Sequence, residues 1–553
     1  MKKIILFLAI SFFASWVYGQ GQMDAFKLSG TDLSGSARGI AMGGAFGALG
    51  GDITGVSQNP AGIGVYRSSE VVGSLGLASV NTETNTLGNK VNDSKFNFSL
   101  DNFAYIAYMP LTGSVKAFNL GFSYNRLKNF GRNYHSVGNG LTSSLTDYMA
   151  DYTTLPKKGG YPYPDNLSSY DTNGNFDTWP YEPQQNLPWI SVLGYNGGLI
   201  NDNGERYISP LIGPQATREY GDLQNVDRIY SVSERGHIDS YDFTMGANIS
   251  DILYLGLNFS VTDLRYSLRS RHTEEFERGE NFDGGGGGGF DLDNSLETSG
   301  SGFQVTAGAL FRPIDELRIG VAYHSPTWYN LTDSYFAQVN YEGWYMDDNG
   351  EWVWPNNGLT ANTPGNASAD YKLRTPDRWV MSMAGVLGTK VILSVDYEYS
   401  DYSRMNLGTQ YGLFDFGYAQ QNDFISQDFK GASTLKAGLE YKVTPQVALR
   451  AGYTWMQNPL EASFKSGGVE VLPNETVTAY TLDGDANYYS IGAGYRFTPN
   501  FYMDFAFSFK QQTNELYTYS PIWDDNGAPL VESVSAKLKN NTNRGILTLG
   551  YKF

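Results

Sequence analysis

The residues best suited to chemistry are few and scattered. The chain has four histidines, His135, His237, His272 and His324, and no cysteine. Covalent hydrolysis needs a nucleophile with a base in reach, and no histidine lies in a Gly-x-Ser-x-Gly or related nucleophile motif. Haem ligation by one of them stays open as an alternative. Gly284–Gly289 lacks the Lys-Ser/Thr of a phosphate loop and reads as a loop tip. Asp347-Asp348-Asn349-Gly350 and Asp524-Asp525-Asn526-Gly527 offer oxygen ligands for calcium. Neither continues into a calcium-loop pattern, and Asn-Gly is a hairpin-turn signal, so both read as turns. The expectation is a protein that is not an enzyme and has no metal site and no cofactor.

The elements that would position any site begin with an export signal. Met1-Lys2-Lys3 precedes an apolar run from Ile4 to Phe13, and Val17 and Gly19 occupy the small-residue positions before a cleavage site. Cleavage is expected before Gln20, making 1–19 a signal peptide. The apolar run is shorter than the roughly 20 residues that span a bilayer as a helix, and nothing later in the chain approaches that length. Aromatic residues nevertheless make up 15% of the 553 residues, with 40 tyrosines and 64 glycines, while mean hydropathy is only −0.35. A transmembrane β-barrel has this profile, because only every second strand residue faces lipid and tyrosine and tryptophan collect at the interfaces. The formal charge of −18 opposes nucleic acid, whose phosphates call for a basic footprint.

Alternation with period two supports strands. Leu253, Leu255, Leu257, Phe259 and Val261 share one face, with Tyr254, Gly256, Asn258 and Ser260 between them. Val391 to Tyr399 and Phe501 to Phe509 repeat the pattern. Tight breaks at Pro110–Ser114, Ser250-Asp251, Arg312–Asp315, Gly388-Thr389, Val443–Gln446 and Thr498–Asn500 alternate with long polar segments. Those segments, read as outer loops, lie at about 81–94, 128–235, 270–300, 331–375, 403–430, 458–486 and 513–541. Short periplasmic turns and long outer loops are the signature of bacterial barrels. The breaks predict about 14 antiparallel strands. Charges on the faces opposite the apolar rows, at Arg318, His324, Asp396, Glu398, Arg450, Arg496, Asp504 and Lys510, exclude a dry core. The last strand carries Leu547, Leu549, Tyr551 and the terminal Phe553 on one face, and Tyr551 with Phe553 resembles an outer-membrane assembly signal.

Residues 20–69 differ from the strands. They are rich in small residues, including Gly43-Gly44-Ala45-Phe46-Gly47 and Gly50-Gly51-Asp52, then Gln58-Asn59-Pro60-Ala61-Gly62, and suit a segment folded inside a narrow barrel. With Ser36-Ala37-Arg38 and Ala41-Met42-Gly43, they resemble the N-terminal hatch of the FadL/TodX family of outer-membrane transporters for long-chain fatty acids and other hydrophobic compounds. Leu310-Phe311-Arg312-Pro313, Leu317 to Pro326, Thr375-Pro376-Asp377-Arg378-Trp379, Leu449 to Tyr453 and Gly492 to Phe497 are similar to family strands in family order. The resemblance implies a 14-stranded barrel with Asn59, Pro60, Ala61 and Gly62 as the hatch motif. It also implies passive uptake of a hydrophobic small molecule, captured by the outer loops and released past the hatch, sideways through the wall into membrane lipid.

An opening in the wall calls for an interrupted strand, and Gly121 is the candidate kink, with a glycine merely tolerated in the lumen row as the other reading. The segment at about 128–235 is long for a loop and carries Tyr161, Tyr163, Trp179, Tyr181 and Trp189. These aromatics read either as a capture platform or as a small core of the loop itself. Expected boundaries are 1–19 signal peptide, 20–69 hatch and 70–553 barrel, in the outer membrane of a Gram-negative bacterium. Expected partners are the ligand, outer-membrane lipid and, during biogenesis, the barrel-assembly machinery. A haemin or aromatic-compound carrier of the same fold and a non-transporting receptor or adhesin remain as rival readings.

Overall fold

The computed structural model describes residues 20–154, 167–168, 187–210, 226–276, 288–343, 345–346, 352–353, 358–365, 367–409, 417–465, 471, 474–523 and 529–553. No described helix is long and apolar enough to cross a membrane. The chain crosses with strands. In sequence order these are β1 (Glu70–Thr86), β2 (Asn89–Pro110), β3 (Val115–Asn129), β4 (Val226–Ile249), β5 (Leu253–Phe276), β6 (Gly288–Ile314) and β7 (Leu317–His324). They continue with β8 (Arg378–Leu387), β9 (Val391–Asp401), β10 (Gly431–Lys442), β11 (Val447–Met456), β12 (Ala486–Arg496), β13 (Phe501–Tyr517) and β14 (Ala536–Lys552). Each pairs antiparallel with the next. The 14-stranded barrel closes where β14 meets β1, from Glu70↔Lys552 to Asn85↔Lys537. Closure leaves no unpaired edge in lipid, where an unsatisfied peptide group costs several kcal/mol.

The alternation does what the sequence suggested. On β5, Leu255, Leu257, Phe259 and Val261 point outward and are exposed, while Tyr254, Asn258, Ser260 and Thr262 are buried in the lumen. Such apolar exposure would be unfavourable in water and is the expected face toward acyl chains. Aromatic rims bound the band, with Tyr495, Phe497, Phe501 and Tyr551 beside the short turns and Tyr323, Trp379 and Tyr399 at the other end.

Two expectations are corrected. Several polar segments read as loops are in large part strand. β1 and β2 run on to a two-residue turn at Leu87-Gly88, both with positive φ, β5 reaches Phe276, and β13 and β14 pair up to Leu516↔Ala536. Above the bilayer both faces of the sheet meet water or other protein, so the apolar alternation disappears while backbone pairing continues. The other correction is Arg496, which lies exposed at the short-turn end instead of in the lumen.

Extensions of three adjacent strands bend away at one level. β7 stops at Ser325-Pro326-Thr327 and resumes as Trp328–Glu342, paired with the upper part of β6 and with Ala367–Arg374. Thr375-Pro376-Asp377 separates Ala367–Arg374 from β8. β9 ends in a helical turn at Tyr402–Arg404. The two prolines lack the N–H that would continue the ladders.

The described residues of the segment 128–235 pack as a cap. Arg132–Leu141 pairs with the upper half of β4, and helices Leu145–Thr154 and Trp189–Asn196 bury Leu145, Tyr148, Met149, Ile190 and Leu193 against Phe290, Val339 and Tyr519. Each fully buried side chain of this size contributes about 1.5–3 kcal/mol.

Candidate functional site

Residues 20–67 occupy the lumen. Helix α1 (Gln22–Ser29), α2 (Ala37–Ala41), α3 (Ile53–Gln58) and a 3-10 turn (Pro60–Val65) follow one another inside the barrel. The backbone of this inner segment presses directly on the wall because the wall offers glycines there. A Cβ on Gly256 would lie 2.2 Å from the Pro60 carbonyl carbon, and one on Gly308 would lie 2.0 Å from Asn59 Oδ1. The same holds for Gly320 under Gly47, Gly438 under Met42 and Gly452 under Gly43. This row of inward glycines was missed in the sequence, although each falls on the face opposite the apolar row of its strand, as Gly256 does between Leu255 and Leu257.

The Asn59-Pro60-Ala61-Gly62 motif is the hinge of this contact. Asn59 caps the 3-10 turn, accepting from the Ala61 N–H at 3.1 Å. Its amide donates to the carbonyls of Gly47 at 2.9 Å and of Ala309 on β6 at 3.1 Å. Pro60 starts the turn, where a missing N–H costs nothing. Ala61 is wholly buried with Tyr254 and Leu310, and Gly62 accepts from the Gly51 N–H while packing on Gly50. One tetrapeptide thus ties the glycine-rich loop to β5 and β6.

Charge pairs hold the rest. Arg38 grips Glu440 through two nitrogens, at 2.8 and 3.2 Å, and Arg450 joins Glu440 to Asp504. Gly47 N–H donates to Asp396 at 2.9 Å, Arg318 donates to the Leu49 carbonyl, and Lys436 bridges Gln58 and Glu398. Lys510 pairs with Asp32 at 2.9 Å. Burial raises the Asp32 carboxyl, but Lys510 and Lys128 outweigh it and hold it at about 2. The inward charges anticipated from sequence therefore serve mainly as anchors for the inner segment.

Above α1 lies a cavity of about 270 Å³. Apolar groups from the inner segment (Phe26, Leu33, Ile40) and from the wall (Val80, Leu127, Met456) line it together with Lys27, Lys128, Arg132 and Lys510. Lys27, Arg132 and Lys510 have carboxylate partners. Lys128 donates to the Lys27 carbonyl at 2.6 Å and forms no ion pair among the described residues.

The cavity borders a seam in the wall. β2 pairs with β3 only from Pro110↔Ala117 to Asn102↔Asn125. Beyond Asn102, β2 pairs only with β1, whereas β3 stays with β4 and shifts register between Arg126 and Lys128. Asn97 and Ser99 on one edge and Arg126 to Asn129 on the other line the cavity. Outside, Phe96 and Phe98 are 74% and 70% exposed. Inside, Arg132–Leu141 crosses the seam, with Asn97 donating to the Gly131 carbonyl at 2.7 Å. The kink expected at Gly121 is absent. Gly121 pairs with both Ile106 and Thr244 in unbroken ladders, and its missing Cβ makes room for Ile63 of the inner segment. The interruption lies five residues further on.

Tyr161, Tyr163, Trp179 and Tyr181 lie outside the described residues. Trp189 sits at the edge of the cap core and donates to the Tyr335 hydroxyl at 2.7 Å. The histidines stay apart: His272 meets Glu274 at 2.8 Å, His324 meets the Gln58 carbonyl at 3.0 Å, and His135 and His237 pair with Asp93 and Asp239. No described cluster could hold a metal ion. Tyr551 and Phe553 face outward beside the closing seam, where the Ser69 and Phe553 backbones exchange hydrogen bonds.

A closed barrel with an apolar belt and an occupied lumen is an integral protein of the outer membrane of a Gram-negative bacterium. Residues 289–552 match the model of a family described as outer membrane protein transport protein (OMPP1/FadL/TodX), so the expected likeness to that family is borne out over this half of the chain. Among curated proteins, the 47 kDa outer membrane protein of Pasteurella multocida is 23% identical over 256 residues, 46% of this chain and 50% of that protein. Outer membrane protein P1 of Haemophilus influenzae is 25% identical over 256 residues, 46% and 47% respectively. The match thus spans about half the length of these relatives. Among solved structures, a Pseudomonas aeruginosa FadL homologue aligns over 95% of this chain and 99% of its own, with 13% identity and a TM-score of 0.49. The P. putida toluene transporter TodX aligns over 94% and 99%, with 12% identity and a TM-score of 0.47.

Proposed function

We propose that this chain is a passive channel for hydrophobic compounds, with a long-chain fatty acid-like amphiphile as cargo. The observation that carries the reading is the cavity at the β2–β3 seam, lined by both apolar and charged side chains and supplied with Lys128, which forms no ion pair among the described residues. A carboxylate head would rest on Lys128 while its tail covers Phe26, Leu33 and Met456. Capture occurs at the cap, and the inner segment acts as the hatch. Release runs sideways between β2 and β3, past Phe96 and Phe98, so the cargo never enters the polar lower lumen, where its hydrophobic stabilisation would be lost. The site of release is therefore the seam above Asn102, in place of Gly121.

Uptake of labelled oleate by cells lacking their own transporter tests this, with labelled toluene run in parallel. Wild-type protein should raise oleate uptake several-fold over empty vector. Asn59→Ala/Pro60→Ala, with folding checked by heat-modifiable mobility, should lower it. Uptake of toluene alone would move the cargo to small aromatic compounds, and uptake of neither by a folded barrel would favour the receptor or adhesin reading.

A further inference from the structure

Gln20 is the first described residue, and it is fully buried. Both ends of its side chain are held: the amide donates to Asp333 at 3.1 Å, and its oxygen accepts from the Tyr418 hydroxyl at 2.7 Å. Asp333 lies on Trp328–Glu342, beyond the lipid-facing band, and is itself fully buried, with Tyr371 donating to its other oxygen at 3.3 Å. Asp24 and Glu475 are close enough to act on the same site by charge. Among the described residues no lysine or arginine forms an ion pair with Asp333, Asp24 or Glu475, so these three carboxyl groups meet there without a paired cation. Burial, with repulsion from Asp24 on Asp333 and from Asp333 on Glu475, pushes Asp333 up to about 7 and Glu475 to about 8. A buried carboxylate without a counter-charge is expensive; in this lumen Glu440, Glu398 and Glu234 have cations, while Asp242 is met by the Asn125 amide and the Ser240 and Ser260 hydroxyls.

We infer that the missing cation is the α-ammonium of Gln20, created when the signal peptide is removed, and that it pairs with Asp333 to lock the start of the inner segment against the upper wall. This rests on the reading that cleavage falls between Gly19 and Gln20. It assigns processing a structural role: export releases the leader and supplies the charge that completes the pocket. It also makes Asp333 a positioning residue for α1. The side-chain contacts of Gln20 oppose the usual fate of an N-terminal glutamine. In that cyclisation the α-nitrogen attacks Cδ and the side-chain nitrogen leaves as ammonia. The product would lose both the ammonium and the donor to Asp333.

Mass spectrometry of the N-terminal peptide from purified, folded, full-length protein tests this, after brief exposure to an amine-acylating reagent at neutral pH. The expected peptide begins at Gln20, uncyclised and unmodified. It should be acylated at least ten-fold faster in protein unfolded before labelling, and similarly faster in folded Asp333→Asn. A peptide lighter by one ammonia would overturn the inference while leaving the cleavage reading intact. Equal acylation of folded and unfolded wild type would do the same, and needs no variant to fold. A peptide beginning at another residue would remove the cleavage reading and the inference with it.

Discussion

Individual residues in this barrel divide by what they do for the inner segment. Asp32 with Lys510 and Arg38 with Glu440 tie it by charge; Gly256, Gly308 and Gly452 admit it by having no side chain. The two kinds of contact fail differently. Asp32 has a folded value near 2, below the ordinary 3.8, so its contribution is present above about pH 4 and is lost as pH falls toward 2. Protease access to residues 22–65 should therefore rise between pH 4 and 2, and Asp32→Asn should weaken that dependence, leaving the part carried by Glu440 with Arg38. Gly308→Val meets Asn59 Oδ1 instead. Overpacking of this kind costs about 1–3 kcal/mol, and should free the inner segment to protease at neutral pH while the barrel keeps its heat-modifiable mobility.

At the scale of elements, legibility in the sequence followed the solvent on each face. Where one face met lipid and the other the lumen, as in Leu253 to Val261 and Leu547 to Phe553, alternation located the strand and its orientation. Where strands rise above the bilayer, the same backbone pairing carries Asn, Thr and Glu, and reading polarity alone turned β1–β2 and β13–β14 into loops. The Asn-Pro-Ala-Gly turn was legible because proline and asparagine have local roles. The β2–β3 seam was not, because it arises from which neighbour each strand keeps, and Gly121 gave no warning that the break lay at Arg126 to Lys128. The cap is a folded element by the same test: Trp189 packs against Tyr335. Trp189→Ala should cost about 1–3 kcal/mol, less than for a fully buried tryptophan, seen as cleavage within 128–235 by protease on intact cells at concentrations that spare wild type.

For the whole molecule, two closures stand between outside and periplasm, the cap over the mouth and the inner segment in the lumen, and a third, Arg132–Leu141, lies across the seam toward the membrane. Cargo following the proposed route passes the first and leaves at the third without the second emptying the barrel. That route separates a lateral channel from a porin and from a surface receptor. It can be locked in one place. A Cβ on Gly131 would approach Asn97 so closely that Asn97→Cys/Gly131→Cys suits disulfide geometry, and the chain's lack of any other cysteine makes the bond unique. The most direct measurement is oleate uptake by cells carrying this pair, before and after reduction, beside wild type treated identically. The account predicts uptake near the empty-vector level when oxidised and restored to wild type on reduction. Undiminished uptake with the disulfide formed would contradict release through the β2–β3 seam.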